Sequence, residues 1–215
     1  MLGCLAVQAG TASTNGIYPI AIEKNGQKWE ATAMLKRILI GLFLISHLIV
    51  SIQAAVPRDP YQFFFEQSLG DLTEELEIAR EEGKLGIFVF FEMDECPFCH
   101  RMKQTVLNQP EIQQYFGQYF HSLAMDIEGD IEIVDFAGDD MTQKQFARNN
   151  RVRATPLLAF YNLDGEQIFK YTGAVSGVEE FKLMGEYIAN QVYLQKDDQG
   201  RNIRFTRFKR MQKKN

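Results

Sequence analysis

The sequence predicts an α/β domain built on a mixed central sheet of about four to five strands that is flanked by helices. Between residues 71 and 161, short apolar runs alternate with amphipathic segments, a pattern typical of strands joined by helices. Two apolar runs flank the turn at residues 162–165, which indicates a hairpin, and one amphipathic segment closes the domain. Helical crossovers followed by a hairpin make the predicted sheet mixed.

The first helix and the first strand have clear local signals. Asp71 can cap a helix, Glu74 stands three places further on, and Gly83 ends the pattern. Residues 86–91 form an uninterrupted apolar run, as expected for a central strand that is buried on both faces. The chain therefore enters the sheet through a helix and a fully buried strand.

The remaining elements are predicted from the same kinds of signal. Amphipathic spacing and capping residues indicate the helices, and apolar runs indicate the strands. The predicted order is a helix from Pro97 with Met102 and Val106 facing inward, a helix over 110–116, a strand over 119–127, an insertion over 129–140, a helix over 142–148 capped by Thr142, strands over 156–161 and 167–171, and a helix capped by Ser176 with the stripe Phe181, Met184, Ile188 and Val192.

The composition fits one domain with appendages at its ends. The 215 residues carry a net charge of −5, yet residues 201–215 contain seven Lys or Arg and no acid. We expect residues 195–215 to be a solvated, flexible basic tail, and we expect no nucleic-acid partner. The alternative is that Phe205 and Phe208 share one helical face, which touches anionic lipid or an acidic partner.

The N-terminal part has the pattern of a secretory signal. Residues 34–37 supply a charged start, residues 38–52 are apolar, and small residues follow at 53–55. We therefore expect residues 34–55 to be a signal peptide or a signal anchor. The alternative is a buried helix, but basic residues on the N-terminal flank alone suit a membrane better.

This pattern divides the chain. Residues 1–33 are expected to be an upstream extension of the reading frame, because a signal normally begins at the initiator methionine. Residues 56–194 are then expected to form a domain that is periplasmic or otherwise exported, and association with the inner membrane would use residues 38–56. Cysteine chemistry is expected in such an oxidising compartment.

Cys96 and Cys99 are the most informative residues, because they open a predicted helix directly after a buried strand. Two cysteines separated by Pro97 and Phe98 are typical of thiol–disulfide exchange. Pro97 suits the first helical position. The positive end of the helix dipole there stabilises a thiolate on Cys96, so we expect the pKa of Cys96 to lie below the free value of about 8.5. We expect Cys96 to attack, Cys99 to resolve, and the two to form a disulfide that leaves Cys4 unpaired.

Two other chemistries use the same motif. His100 completes the pattern for covalent attachment of a c-type haem, with His121 or Met125 as a second axial ligand. Structural zinc needs four ligands, and the cysteine pair with His100 and His121 barely reaches that number. A binding module with an idle dithiol is a third alternative. We expect thiol exchange with no bound cofactor and no metal.

Three separated features make residues 61–193 resemble the thioredoxin superfamily. They are the motif Cys96, Pro97, Phe98 and Cys99, the triplet Ala154, Thr155 and Pro156, and the hairpin residues Asp164 and Gly165 with Gly173 beyond them. Within that superfamily the chain looks most like exported thioredoxin-like proteins of the sulfur-oxidation type. That similarity lies in Phe90, Phe91 and Glu92 before the motif and in the insertion over 129–140.

The resemblance implies a thioredoxin fold and a thiol–disulfide oxidoreductase without a cofactor. It also implies that Pro156 is cis and faces the cysteine pair, with Thr155 beside Cys96, so that Thr155 and Pro156 form a docking edge for substrate. The implied partners are a protein disulfide, reduced rather than oxidised by the chain, and a redox protein that recycles the dithiol.

One position departs from the family pattern. Classical thioredoxins carry a buried Asp six residues before the first cysteine, and this chain has Phe90 there. Glu92 is our candidate for the group that assists deprotonation of Cys99, while the alternative is a simple carboxylate at the end of a strand.

Charges around the motif oppose one another. Asp94 and Glu95 disfavour a nearby thiolate, whereas His100 favours it and Phe98 tunes the start of the helix. The sequence alone therefore leaves the reduction potential open.

Overall fold

A computed structural model of the protein describes residues 36–37 and 56–213, and the latter all lie within one compact unit. Lys36 and Arg37 are helical and exposed. The predicted upstream extension lies outside the described residues, and so does the predicted signal at 34–55 apart from those two positions. Within the described residues, no helix has both the length and the apolar character needed to cross a bilayer.

Helices and strands alternate along residues 56–213. The helices are Pro60–Phe63 (α1), Leu72–Glu81 (α2), Pro97–Met102 (α3), Pro110–Tyr119 (α4), Gln143–Asn149 (α5), Val178–Ala189 (α6) and Phe205–Gln212 (α7). The strands are Gly86–Glu92 (β1), Phe120–Asp126 (β2), Glu132–Val134 (β3), Asp140–Thr142 (β4), Leu157–Tyr161 (β5) and Gln167–Thr172 (β6). A π-helical turn, Lys103–Leu107, continues α3, and a 3-10 turn, Val192–Leu194, follows α6.

The main sheet has the strand order β2–β1–β5–β6. β1 runs parallel to β2, with Gly86 opposite Phe120, and antiparallel to β5, with Phe91 opposite Leu157. β6 lies antiparallel beside β5. The prediction of a mixed sheet flanked by helices is therefore confirmed, with four strands.

All seven residues of β1 are buried, and the side chains of residues 87–91 alternate between two cores on opposite faces of the sheet. Phe88 and Phe90 belong to the larger core, which also holds residues of α3, α4, α6 and α7. Ile87, Val89 and Phe91 belong to the smaller core, which is closed by α2 and α5. The uninterrupted apolar run of the sequence thus reflects a strand that is covered on both faces.

Two of the three predicted helix caps are confirmed. Asp71 accepts hydrogen bonds from N–H groups in the first turn of α2, and Thr142 does the same for α5. The predicted cap at Ser176 is wrong, because Gly177 occupies that position without a side-chain bond. The hydroxyl group of Ser176 donates to the carboxylate of Glu180 instead.

The insertion at residues 129–140 is more ordered than its weak pattern predicted. It contains β3 and reaches the start of β4, and these two strands form a separate antiparallel pair. Ile133 is buried in the smaller core, and the N–H of Val134 donates to the carbonyl of Gly70 at 2.9 Å. A single buried side chain in a three-residue strand gives too short a period to be read from the sequence.

The prediction of a flexible tail at residues 195–215 does not fit the structure, which places a helix there. Phe205 and Phe208 lie on one face of α7 and are buried against Tyr187, with ring centroids 5.5 and 5.6 Å from its ring. Lys209 forms an ion pair with Glu180 on α6. The prediction relied on the basic composition of the segment. Burial of two aromatic rings, three residues apart on one face, is nevertheless enough to dock the helix.

Candidate functional site

The cysteine motif lies where β1 gives way to α3. β1 ends at Glu92, and Cys96 occupies the cap position of α3 with Pro97 as the first helical residue. The N–H of Cys99 donates to Sγ of Cys96 at 3.1 Å. The two cysteines form a disulfide with their Cα atoms 5.2 Å apart. The sulfur of Cys96 thus sits among the N–H groups at the positive end of a helix, where a thiolate is stabilised.

Both cysteines are part of the larger core, yet their neighbours are open to solvent. Cys96 is 4% exposed and Cys99 is 1% exposed, whereas Phe98 between them is 56% exposed. The guanidinium group of Arg101 lies 5.3 Å from the centroid of the Phe98 ring. The start of α3 therefore presents an aromatic ring beside a cation, while both cysteines are buried beneath it.

His100 is directed toward the loop before the helix. Its ring Nε2 lies 2.9 Å from the carbonyl oxygen of Asp94, and the residue is exposed. This contact ties the first turn of α3 to the loop that joins it to β1. The structure thus gives His100 a positioning contact rather than a bond to either sulfur.

The predicted docking residues lie at the same edge of the sheet as the dithiol. The peptide bond between Thr155 and Pro156 is cis, as the resemblance implies. β5 begins one residue later, and its Leu157 pairs with Phe91 near the end of β1. Pro156 is buried and Thr155 is half-buried. The end of β1 that leads to Cys96 and the start of β5 therefore adjoin.

Glu92 is the centre of a network that sequence reasoning did not foresee. It is 7% exposed, and its two carboxylate oxygens accept bonds from the Tyr61 hydroxyl at 2.5 Å and from Nζ of Lys103 at 2.6 Å. Nζ of Lys103 also donates to the Tyr61 oxygen at 2.7 Å. Burial lowers the pKa of Lys103, but the bonds to Glu92 and Tyr61 outweigh it and raise that pKa overall.

Burial, reinforced by the bond to Glu92, raises the pKa of Tyr61. The position of Tyr61 could have been found from the sequence, because Asp59 and Pro60 are a helix start. Asp59 accepts a bond from the N–H of Tyr61 at 2.9 Å. The contact between Tyr61 and Glu92 could not have been found from the sequence, because no sequence pattern relates two residues so far apart.

The residues proposed for haem or zinc do not surround the motif. His121 lies opposite Ile87, about 16 Å along β1 from Glu92, where the strand ends before the motif. Its Nε2 is 2.6 Å from the carboxylate of Glu75. Met125 belongs to the smaller core, on the other face of the sheet from the cysteines. In the described part of the chain, no three His, Cys, Asp or Glu residues are grouped to hold a metal.

Comparisons with known proteins agree with this geometry. A family model described as a thioredoxin-like domain matches residues 72–189. No curated protein matches the chain. A thioredoxin-fold protein from Helicobacter pylori is 18% identical over 61% of this chain and 86% of its own, with a TM-score of 0.50.

Two further similar structures have lower TM-scores. A candidate disulphide isomerase from Bacteroides thetaiotaomicron is 26% identical over 61% of this chain and 93% of its own, with a TM-score of 0.45. A DsbH oxidoreductase is 16% identical over 66% of this chain and 94% of its own, also with a TM-score of 0.45. The family and the Cys96–Cys99 pair together support a general thiol–disulfide oxidoreductase. Because the family model matches more than half of the chain, the protein belongs to the thioredoxin-like family.

Proposed function

We propose that the protein is a thiol–disulfide oxidoreductase that reduces a disulfide in a partner protein. The observation that carries this proposal is the position of Cys96, whose Sγ accepts the N–H of Cys99 at the start of α3. That site lowers the free energy of a thiolate relative to a thiol. It supplies an attacking group next to a second cysteine that can resolve the product.

The reaction needs only the two cysteines and the substrate disulfide. The Cys96 thiolate attacks one substrate sulfur, forming a mixed disulfide and releasing the other substrate sulfur as a thiolate. Cys99, after losing its proton, attacks Sγ of Cys96 and expels the first substrate sulfur. Two electrons pass to the substrate, which leaves as a dithiol, and Cys96–Cys99 becomes the disulfide. A separate redox protein then returns the pair to its dithiol form.

Thr155 and Pro156 are proposed as the docking edge for the substrate. Neither the N–H nor the carbonyl of Thr155 has a backbone partner among residues 56–213. An extended peptide could therefore pair with that backbone while its disulfide faces Cys96. The half-buried side chain of Thr155 leaves room for such an approach.

The proposed site of action is outside the cytoplasm. This rests on the charged start, apolar middle and small-residue end of residues 34–55. Fractionation of cells that express the chain, with intact-mass measurement, tests it. A cytoplasmic product that retains residues 1–33 would refute both the export and the upstream-extension proposals.

Trapping of mixed disulfides tests the chemistry. Cys99→Ser keeps the attacking sulfur and removes the resolving one, so adducts with the partner should accumulate on non-reducing gels. Cys96→Ser is the matched control and should form none. Equal trapping by both variants would reverse the assigned roles, and no adduct from either would refute the proposed activity. Equilibration of the wild-type pair with glutathione buffers gives its reduction potential, and comparison with the potential of the trapped partner gives the direction.

A further inference from the structure

A cavity of about 460 Å³ lies between α7 and the loop that precedes it. Four of the seven residues that line it are arginines. The full set is Asp197, Arg201, Asn202, Arg204, Thr206, Arg207 and Arg210. Phe205 and Phe208 turn the opposite face of α7 into the core, so arginines spaced by three residues share its outer face. The packing of α7 thus concentrates guanidinium groups in one concavity.

Only two of these four arginines have an acidic partner within residues 56–213. The side chain of Asp197 is 2% exposed and forms ion pairs with Arg201, at 3.1 Å, and with Arg207. Arg204 and Arg210 have no acidic partner within residues 56–213, and Nε of Arg210 donates only to the carbonyl of Thr206, at 3.4 Å. Because four guanidinium groups face a single carboxylate, the lining has a formal charge of +3.

A concave, charged surface of this kind attracts anions, because its walls focus the field of the charges. Guanidinium groups bind phosphate and carboxylate through paired parallel hydrogen bonds, and arginine rather than lysine is the residue suited to that geometry. The Thr206 hydroxyl and the Asn202 amide add donors. The lining contains no aromatic ring on which a nucleobase could stack.

We propose that this cavity binds a phosphate-bearing anion with at least two negative charges. Arg204 and Arg210 make the contacts that Asp197 leaves open, and the cavity has room for more than one phosphate group. Lys209 does not contribute, since it pairs with Glu180 on α6. Insertion of the aromatic rings into lipid is not part of this proposal, because Phe205 and Phe208 are buried in the domain. The site is independent of the proposed thiol exchange.

Calorimetric titration of the full-length protein with inorganic pyrophosphate tests the proposal. Wild type should bind, and Arg204→Gln with Arg210→Gln should weaken binding at least tenfold. Arg201 and Arg207 are left unchanged because they hold Asp197. The matched control is Arg148→Gln with Arg153→Gln, which removes the same charge from exposed positions outside the cavity and should change affinity less than twofold. Unchanged thermal denaturation shows that each variant is folded.

Two further measurements identify the source of the phosphate. Co-sedimentation with phosphatidylglycerol vesicles, compared with phosphatidylcholine vesicles, tests a lipid headgroup, and release by pyrophosphate shows that both use one site. Absence of both pyrophosphate and vesicle binding would overturn the proposal, as would equal weakening by the control pair. Tighter binding of an acidic peptide than of pyrophosphate would also overturn it, because carboxylates would then be the preferred ligand.

Discussion

The hydroxyl group of Tyr61 donates a 2.5 Å hydrogen bond to the carboxylate of Glu92 across 31 residues of sequence. Lys103 completes the contact from the π-helical turn that follows α3. The side chains of Lys103 and Glu92 are 14% and 9% exposed, so their ion pair is largely shielded from water. One small polar network therefore joins α1, the end of β1 and the helix that carries the cysteines.

Glu92→Gln should lower the free energy of unfolding by about 2–3 kcal/mol, because Lys103 is left with a poorly compensated buried charge. Tyr61→Phe should cost about 1 kcal/mol, the value of one hydrogen bond. Urea denaturation measures both. Glu95→Gln is the matched control, since Glu95 is exposed, and it should stay within about 0.5 kcal/mol of wild type. Equal effects of Glu92→Gln and Glu95→Gln would show that the network contributes no stability.

Phe208→Ala should lower the free energy of unfolding by about 3 kcal/mol, because it leaves a cavity between α6 and α7. The measurement is again the urea midpoint together with its slope. Met211→Ala, at a 47% exposed position of the same helix, should change stability by less than about 0.5 kcal/mol. If both substitutions were neutral, α7 would not be packed on the domain in solution.

The ion pairs of Asp197 should be lost only in strong acid. Its pKa is lowered from 3.8 to about 2, chiefly because its carboxylate accepts the backbone N–H of Arg201. A lowered pKa contributes stability above pH 3.8, and that contribution disappears as the pH falls through about 2. Wild type should therefore be more stable than Asp197→Asn at pH 7, and this difference in stability should disappear as the pH falls from 3.8 to about 2.

Asp198→Asn is the control for this pH series, because the neighbouring Asp198 is exposed. Its difference from wild type should stay near zero at every pH. A gap between wild type and Asp197→Asn that persists unchanged below pH 2 would mean that the carboxylate charge is not the cause.

Two glycines should respond in opposite directions to replacement by alanine. A Cβ atom at Gly86 would lie 2.0 Å from the carbonyl oxygen of Tyr161, so Gly86→Ala should separate β1 from β5 and destabilise the domain by several kcal/mol. Gly117 lies in α4, and apart from its chain neighbours and the backbone of its own helix nothing lies within 4 Å of the added carbon. Gly117→Ala should stabilise by about 0.5–1 kcal/mol, because alanine favours a helix. Thermal denaturation of the two variants decides the matter, and a stable Gly86→Ala would show that the strands can move apart.

Much of the fold could be predicted because its signals are local. Asp71 and Thr142 indicate the starts of α2 and α5, and the apolar run of β1 indicates a strand that is covered on both faces. The mixed directions of the strands follow from the helical crossovers and the hairpin, which the sequence also indicates. Ser176 was misjudged because Glu180 competes for its hydroxyl group, and such competition depends on the folded geometry.

The candidate site was only partly predictable for the same reason. The position of Cys96 at a helix start follows from its neighbours in sequence, whereas the partners of Glu92 come from two other elements. The docking of α7 was missed because charge dominates its composition, while Phe205 and Phe208 decide where it lies. Long-range contacts made by one or two side chains leave no periodic trace in a single sequence.

Phe64 near the beginning of the described domain and Phe208 near its end belong to the same core. A ribosome makes the chain from its N-terminus, so this core stays unfinished until the last helix has been synthesised. A chain that stops before α7 would display Phe169 and Tyr187, which Phe205 covers in the complete protein. Chaperones and proteases recognise exposed aromatic surface of that kind, so an incomplete chain would be bound or degraded by them.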